Sequence, residues 1–219
     1  MRMYNQSWFK QVQKHRAIAV IRAPQMELGR QMAHAVASGG MQLIEITWNS
    51  DNPAELIADL RSQLPACTIG TGTVLNREQL KDAIAAGAQF VFTPHVDPIL
   101  IQTAINRDVP MVPGALSPTE IVTAWQAGAS CVKVFPVQAV GGASYIKSLQ
   151  GPLGHIPLIP TGGVTVENAK AFLAAGAIAV GLSGSLFPQS WEAIASYSGC
   201  DAIAKRAQAL MQLLNDSTS

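Results

Sequence analysis

Two charged side chains stand inside stretches of sequence that are otherwise apolar. Lys133 lies within Cys131–Pro136 (CVKVFP), and Glu45 lies within Leu43–Thr47 (LIEIT). Charged residues are seldom buried unless they have a partner or a chemical task. A desolvated lysine can attack a ketone as a neutral amine, and a carboxylate can act as general acid and base. The pair indicates nucleophilic amine chemistry, although a structural ion pair would bring together the same residue types.

Glycine-rich turns supply a second chemical signal. Thr161–Gly163 (TGG) and Gly181–Ser185 (GLSGS) end the seventh and eighth predicted strands. In α/β barrels, the loops after these two strands commonly bind phosphate through backbone N–H groups. Gly70–Thr73 (GTGT) adds a close backbone approach and a hydroxyl group after the third strand. Each motif is weak alone, but together they predict a phosphorylated small-molecule ligand.

Short apolar runs alternate with alanine-rich helical segments along the whole chain. Runs that are apolar at successive positions are typical of strands buried on both faces, and their alternation with helices is typical of parallel βαβ units. We predict eight strands, at Ala17–Arg22, Gln42–Trp48, Thr68–Val74, Gln89–His95, Met111–Ser117, Cys131–Val137, Leu158–Gly163 and Ala177–Gly184.

Eight regular units favour an α/β fold of one (β/α)8 TIM barrel over a flavodoxin-like open sheet. We predict that residues 1–219 form a single domain. An extra N-terminal helix containing Trp8 and Val12 should cover the bottom of the barrel. A C-terminal helix at Asp201–Leu214 should dock on its side, because its apolar residues recur every three or four positions.

Composition excludes several classes of function. Lysine and arginine total 15 against 14 acidic residues, without a basic run, so we expect no nucleic-acid or membrane partner. The N-terminal segment is too polar for a signal peptide, and three widely spaced cysteines indicate a reduced, cytoplasmic protein. The four scattered histidines predict no metal site. Only 13% of residues are charged, which favours an oligomer whose subunits cover part of the surface.

Several motifs, in their order and spacing, resemble the 2-keto-3-deoxy-6-phosphogluconate (KDPG) and 4-hydroxy-2-oxoglutarate (KHG) aldolase family. The resemblance covers nearly the whole chain, from residue 17 to residue 185. The matching segments are Ala17–Arg22, Ile44–Thr47, Gly70–Val74, Thr93–Pro94, Val112–Gly114, Lys133–Pro136, Pro160–Gly163 and Gly184–Ser185.

The resemblance implies a role for each matched residue. Lys133 corresponds to the Schiff-base lysine, and Glu45 corresponds to the residue that moves protons. The implied substrate contacts are Thr73, Pro94, Phe135 and Thr161, and the implied phosphate ligands are Gly162, Gly163, Gly184 and Ser185.

The sequence departs from the family pattern at two places. Asn49 stands where some members carry the arginine that binds the substrate carboxylate, so we assign that role to Arg22, which closes the first strand. The stretch before Ser185 is one residue longer than in some relatives, which affects the turn expected to bind phosphate.

The resemblance further implies a homotrimeric class I aldolase of carbohydrate metabolism, as in the Entner–Doudoroff pathway. It would cleave KDPG to pyruvate and glyceraldehyde 3-phosphate, KHG to pyruvate and glyoxylate, or both, without metal or organic cofactor. The same lysine could serve a related 2-oxo-acid aldolase or an oxaloacetate decarboxylase. Two different functions would also suit the sequence, namely a non-catalytic barrel that binds phosphorylated ligands and a Mg²⁺-dependent phosphate-barrel enzyme such as a thiamine-phosphate synthase.

Overall fold

Parallel strands alternate with helices through residues 3–188 and 190–215, which the computed structural model describes. The strands are β1 Ala17–Ile21, β2 Leu43–Thr47, β3 Thr68–Gly72, β4 Val91–Phe92, β5 Met111–Val112, β6 Gly114–Ala115, β7 Val132–Val134, β8 Leu158–Pro160 and β9 Val180–Leu182. The helices are α1 Met3–His15, α2 Met26–Ser38, α3 Pro53–Gln63, α4 Arg77–Ala85, α5 Pro98–Ile105, α6 Pro118–Gln126, α7 Ala143–Leu153, α8 Ala169–Ala174, α9 Trp191–Ala195 and α10 Tyr197–Asn215, with a 3-10 turn at Val137–Val140.

The strands form a curled parallel sheet and a smaller one. Six strands pair in the order β5-β4-β3-β2-β1-β9, and three pair in the order β6-β7-β8. A single parallel bridge between Thr161 and Gly181 joins the two sheets on one side. On the other side only Pro113 separates β5 from β6, so the strand predicted over Met111–Ser117 is split in two. Proline has no N–H to donate to a strand ladder, which explains the interruption.

Both faces of the long strands are buried, as their continuous apolar runs predict. In β1, Ile18 and Val20 belong to an interior cluster enclosed by the strands, whereas Ala17, Ala19 and Ile21 pack outward against the helices. Because successive strand residues point to opposite faces, both sets lie in apolar surroundings. The chain is therefore layered, with the sheet around an inner core and the helices outside.

Helices α1 and α10 confirm the two extra helices that the sequence predicts. The buried side chains of Trp8 and Val12 place α1 against the interior cluster, next to the amino ends of β1 and β2. Helix α10 buries Ile203, Ala207, Leu210 and Leu214 along one face, and it packs on α2. The Arg16 guanidinium donates to the carbonyl oxygen of Leu214 at 3.1 Å, which ties the end of α10 to the start of β1.

Several helices begin with a side-chain cap that matches the local sequence. Ser117 and Glu120 form a reciprocal capping box at α6, where the Glu120 carboxylate accepts from the Ser117 N–H at 2.7 Å. Asn76 and Asp97 cap α4 and α5 by accepting from backbone N–H groups. These caps fix where each loop ends, and the loops before α4, α5 and α6 follow the carboxyl ends of β3, β4 and β6.

Within residues 3–188 and 190–215, the structure contains no helix with the length and hydropathy of a membrane-spanning segment. Cys67, Cys131 and Cys200 are all free thiols. The predicted cytoplasmic location stays a prediction.

Candidate active site

A cavity of about 430 Å³ opens at the carboxyl ends of the strands. Its volume falls within the range of small-molecule sites, roughly 300–1,000 Å³. Side chains and turns from both sheets line it, and they include every predicted site residue except Ser185. These residues are Arg22, Glu45, Thr73, Pro94, Lys133, Phe135, Thr161, Gly162, Gly163 and Gly184.

Lys133 occupies the middle of β7 and is 6% exposed. Its Nζ atom lies 4.7 Å from the centroid of the Phe135 ring and 5.8 Å from that of Phe92. The ion pairs within 4.0 Å that the structure describes join Arg30 to Glu27 and Asp59, and Lys205 to Asp201, and none includes Lys133. This arrangement argues against a purely structural ion pair and leaves the amine facing the cavity.

Glu45 occupies the middle of β2 and is 1% exposed. Both of its carboxylate oxygens are fully buried and have no hydrogen-bond partner among the described residues. Burial raises the pKa of Glu45 above its usual range, while the positive charges of Lys133 and Arg22 act in the opposite direction. A carboxyl group in such surroundings can hold a proton near neutral pH and return it during a reaction.

Gly72 provides the space that the Glu45 carboxyl group occupies. The carboxyl ends of β2 and β3 pair at Thr47 and Gly72, and a Cβ added to Gly72 would overlap Oε1 and Cδ of Glu45. The sequence indicates a close approach somewhere in Gly70–Thr73, but it does not identify what approaches. A glycine inside a strand is the signal that points to this residue.

Two further residues at the mouth of the cavity lie where the sequence places them. Arg22 follows β1, and its side chain is exposed but close enough for its charge to act on Glu45. Thr73 follows β3 with a left-handed backbone, φ +59°. Non-glycine residues in this conformation are strained and are frequent at functional sites. Asn49 is not among the described residues that line the cavity, which is consistent with assigning the carboxylate contact to Arg22.

The turn after β8 offers backbone N–H groups to the cavity. The N–H groups of Val137 and Gln138 donate to the carbonyl oxygens of Thr161 and Gly162 at 2.9 and 3.1 Å, which fixes the turn. Gly162 and Gly163 both have left-handed backbones, with φ +87° and +90°. Their N–H groups donate to no acceptor in the part of the chain that the structure describes. Successive free N–H groups of this kind form an anion-binding concavity.

The loop after β9 places Ser183 and Gly184, but not Ser185, at the cavity. Ser183 lines the cavity and is exposed. The Ser185 hydroxyl instead donates to the Val164 carbonyl oxygen at 3.4 Å. Sequence spacing alone does not separate the two serines.

In the described ranges, no group of three or more histidine, cysteine, aspartate or glutamate side chains is placed to hold a metal ion. The titratable and cationic side chains that line the cavity are Arg22, Glu45 and Lys133. The arrangement therefore combines one buried amine, one buried carboxyl group and one exposed guanidinium with an uncharged glycine turn.

Comparison with known proteins identifies relatives of one kind over most of the chain. A family model described as KDPG and KHG aldolase matches residues 9–202. The 2-dehydro-3-deoxy-phosphogluconate aldolase of Treponema pallidum is 35% identical over 166 residues, which are 76% of this chain and 79% of that protein. The KHG/KDPG aldolase of Escherichia coli K12 is 31% identical over 157 residues, 72% of this chain and 74% of that protein.

A solved structure has the same fold. The KDPG aldolase of Legionella pneumophila, with pyruvate captured at low pH as a covalent carbinolamine intermediate, superposes with a TM-score of 0.83. The alignment covers 92% of this chain and 97% of that chain at 27% sequence identity.

The raised pKa of Glu45 predicts a pH-dependent difference in stability between the wild type and Glu45→Gln. Below the usual glutamate pKa of 4.5, the carboxyl group is protonated in both the folded and unfolded chain. As pH rises further, the unfolded chain loses the proton first, so the wild type loses stability that the glutamine variant keeps. We expect the Tm of Glu45→Gln minus that of the wild type to increase by a few °C from pH 4.5 upward and then level off. Thermal unfolding of both proteins between pH 4 and 8 measures this difference, and a difference that stays flat or decreases would contradict the burial argument.

Proposed function

Because the chain belongs to the KDPG and KHG aldolase family, we propose that it is a class I aldolase that forms a Schiff base on Lys133. The reaction is the reversible cleavage of a 4-hydroxy-2-oxo acid to pyruvate and an aldehyde. The observation that carries the proposal is the Lys133 amine, which lies buried at the cavity without an ion-pair partner within 4.0 Å among the described residues, while the Glu45 carboxyl group lines the same cavity.

The first half of the reaction forms an imine. The lone pair of the Lys133 nitrogen attacks the C2 carbonyl carbon, and a proton passes from this nitrogen to the former carbonyl oxygen to give a carbinolamine. Loss of this hydroxyl group as water, with Glu45 supplying the proton, leaves a positively charged imine. Glu45 is suited to this step, because burial favours its protonated form.

The second half breaks the carbon–carbon bond. Glu45 removes the proton of the C4 hydroxyl group, the C4 oxygen forms a carbonyl, and the electrons of the C3–C4 bond move into the imine to give an enamine. The aldehyde leaves, a proton adds to C3, and water hydrolyses the imine to release pyruvate. The imine cation accepts the electrons, so this mechanism needs no metal or organic cofactor.

The cavity lining offers groups for both charged groups of a phosphorylated 2-oxo acid. We assign the carboxylate to Arg22, because a guanidinium can bind a carboxylate through two parallel hydrogen bonds. The free N–H groups of Gly162 and Gly163, with Gly184 and Ser183, are positioned for the phosphate. The free N–H groups of this turn favour KDPG, whose aldehyde product is glyceraldehyde 3-phosphate, over KHG, which yields glyoxylate.

The remaining predicted contacts line the same cavity. Thr73 and Thr161 offer hydroxyl groups to the carboxylate and the substrate hydroxyls, and Pro94 and Phe135 supply apolar walls. Gly181 leaves room for Thr161, because a Cβ at Gly181 would overlap the Thr161 hydroxyl oxygen. Together these contacts would hold a substrate with its C2 carbon beside Lys133, which lines the same cavity.

We also propose that the two sheets complete one closed (β/α)8 barrel. The bridge between Thr161 and Gly181 and the short link at Pro113 support closure on both sides. A single domain over residues 1–219 agrees with this arrangement, although residues 1, 2, 189 and 216–219 lie outside the described ranges. The homotrimer that the resemblance implies stays part of the proposal, and the low charge content supports an oligomer.

Reductive trapping tests the proposed mechanism directly. In the presence of pyruvate and sodium borohydride, the imine on Lys133 should be reduced to a stable secondary amine. We expect mass spectrometry to find one reduced pyruvate per chain at Lys133, together with loss of KDPG cleavage. Lys133→Met should remain unmodified at this position and inactive. An unmodified Lys133 in the wild type, combined with ligand-induced stabilisation by KDPG without turnover, would instead indicate a non-catalytic binding protein.

Gly72→Ala should reduce turnover without unfolding the protein. The added methyl group displaces the Glu45 carboxyl group, so we expect kcat for KDPG cleavage to fall by about tenfold to hundredfold. Gly87→Ala is the matched control, because Gly87 has φ +91° and free space around its Cβ position. The control should lose about 1 kcal/mol of stability and keep the wild-type kcat. Equal losses of kcat in both variants would show that general destabilisation explains the effect.

Alanine substitution of the two serines after β9, Ser183 and Ser185, should change the KM for phosphorylated substrate by different amounts. Loss of a hydrogen bond to a charged group costs about 1.5–3 kcal/mol, so Ser183→Ala should raise the KM for KDPG by roughly tenfold or more. The same variant should leave the KM for KHG, which has no phosphate, near the wild-type value. Ser185→Ala should change neither KM, and the reverse pattern would place the phosphate at Ser185. Steady-state kinetics with both substrates on each variant decides the assignment.

A further inference from the structure

A column of aromatic rings fills the interior below the Lys133 amine. The rings of Trp8 and Phe90 lie with their centroids 4.6 Å apart, and those of Phe90 and Phe92 lie 5.7 Å apart in an edge-to-face arrangement. Phe90 is fully buried and Phe92 is 1% exposed. A Cβ at Gly70 would overlap the Phe90 ring, so the column fills the interior up to the surrounding strand. Close packing of this kind leaves the Phe92 ring little freedom to move.

Two aromatic rings lie close to the Lys133 amine. Among the side chains that the structure describes, the rings within cation–π distance of Nζ belong to Phe135 and Phe92. Phe135 lines the cavity, whereas Phe92 is not among the described lining residues. The Phe92 ring therefore approaches the amine from below, on the side away from the substrate.

We propose that the Phe92 ring is a positioning residue that holds the Lys133 amine at the cavity surface, facing the carbonyl carbon it attacks. The inference rests on the proposed Schiff-base function. With no ion pair within 4.0 Å among the described residues, contacts with its surroundings have to fix the position of a flexible lysine side chain.

The ring acts on the amine in two ways. Its bulk prevents the lysine side chain from folding back into the interior and keeps water from the space under Nζ. Its π-face also attracts the positive charge that the nitrogen carries as an ammonium and as an imine. Both effects depend on a ring at residue 92 and act through Lys133, so substrate binding should be little affected.

The sequence supplies a matched control two residues away. Phe90 and Phe92 both point into the interior cluster and have the same side chain and burial. Phe90 lies one layer deeper, between Trp8 and Phe92. Leucine at either position removes a ring from the same column, but only the change at residue 92 removes a ring from the amine.

Phe92→Leu, Phe90→Leu and the wild type are compared by their rates of trapping with pyruvate and sodium cyanoborohydride and by steady-state kinetics with KDPG. For Phe92→Leu we expect the rate of mass addition at Lys133 and kcat to fall together by about tenfold or more. The KM for KDPG should stay within about twofold of the wild-type value, because the ring does not line the cavity. Both leucine variants should lower the Tm by a few °C, but Phe90→Leu should keep the wild-type trapping rate.

The outcomes separate the proposed function from the role of Phe92. A wild type that is not modified at Lys133 overturns the proposed function and this inference with it. If the wild type is modified at Lys133, two results overturn the role of Phe92 alone. One is a trapping rate of Phe92→Leu equal to that of the wild type, and the other is a trapping rate that falls as much in Phe90→Leu as in Phe92→Leu. If Phe92→Leu does not fold, Phe92→Met keeps similar volume without a ring, and a wild-type trapping rate in that variant overturns the inference.

Discussion

Lys133 and Glu45, an amine and a carboxyl group, are both buried in the interior of this protein. Among the described residues, neither side chain forms an ion pair within 4.0 Å. Burying an ionised group costs several kcal/mol unless a partner compensates it. Burial raises the pKa of Glu45, and the Lys133 Nζ lies within cation–π distance of two aromatic rings. A tight ion pair would lower this cost, but it would also keep the nitrogen protonated, without a lone pair for attack, and would occupy the carboxylate oxygens. The arrangement keeps both groups chemically free, and the rest of the molecule must provide the stability to hold them.

The parallel architecture provides that stability. Because both faces of each strand are buried, a residue in mid-strand faces a packed interior on one side and helices on the other. Lys133 and Glu45 lie on strands of different sheets, so neither local sequence nor one strand pair could bring them to the same cavity. Glycines then create the remaining space, as Gly72 does for Glu45 and Gly181 does for Thr161. The apolar surroundings are thus distributed over the whole fold, while the reactive groups occupy a few positions at its open end.

The sequence was sufficient to predict what stands out against its local background. Lys133 and Glu45 interrupt apolar runs, so their positions and shared cavity could be predicted. Phe92 could not, because an aromatic residue in an apolar strand looks like ordinary core, and its contact with Lys133 depends on strands distant in sequence. The choice of Ser183 over Ser185 depends on the path of a loop, which composition does not define. The division of the fifth predicted strand follows from Pro113, whose missing N–H is visible in the sequence but whose effect on pairing is not.

The distribution of charge in the cavity also bears on turnover in the proposed reaction. The lining carries positive charge at Arg22 and Lys133, whereas the turn formed by Thr161–Gly163 contributes only neutral groups. Pyruvate remains attached to Lys133 after the bond breaks, so the phosphorylated aldehyde must leave first. Backbone N–H groups select a phosphate by geometry, yet they hold it less strongly than a desolvated lysine or arginine would. Neutral donors in this turn therefore suit the product that has to depart, while the covalent bond to Lys133 retains the pyruvate fragment.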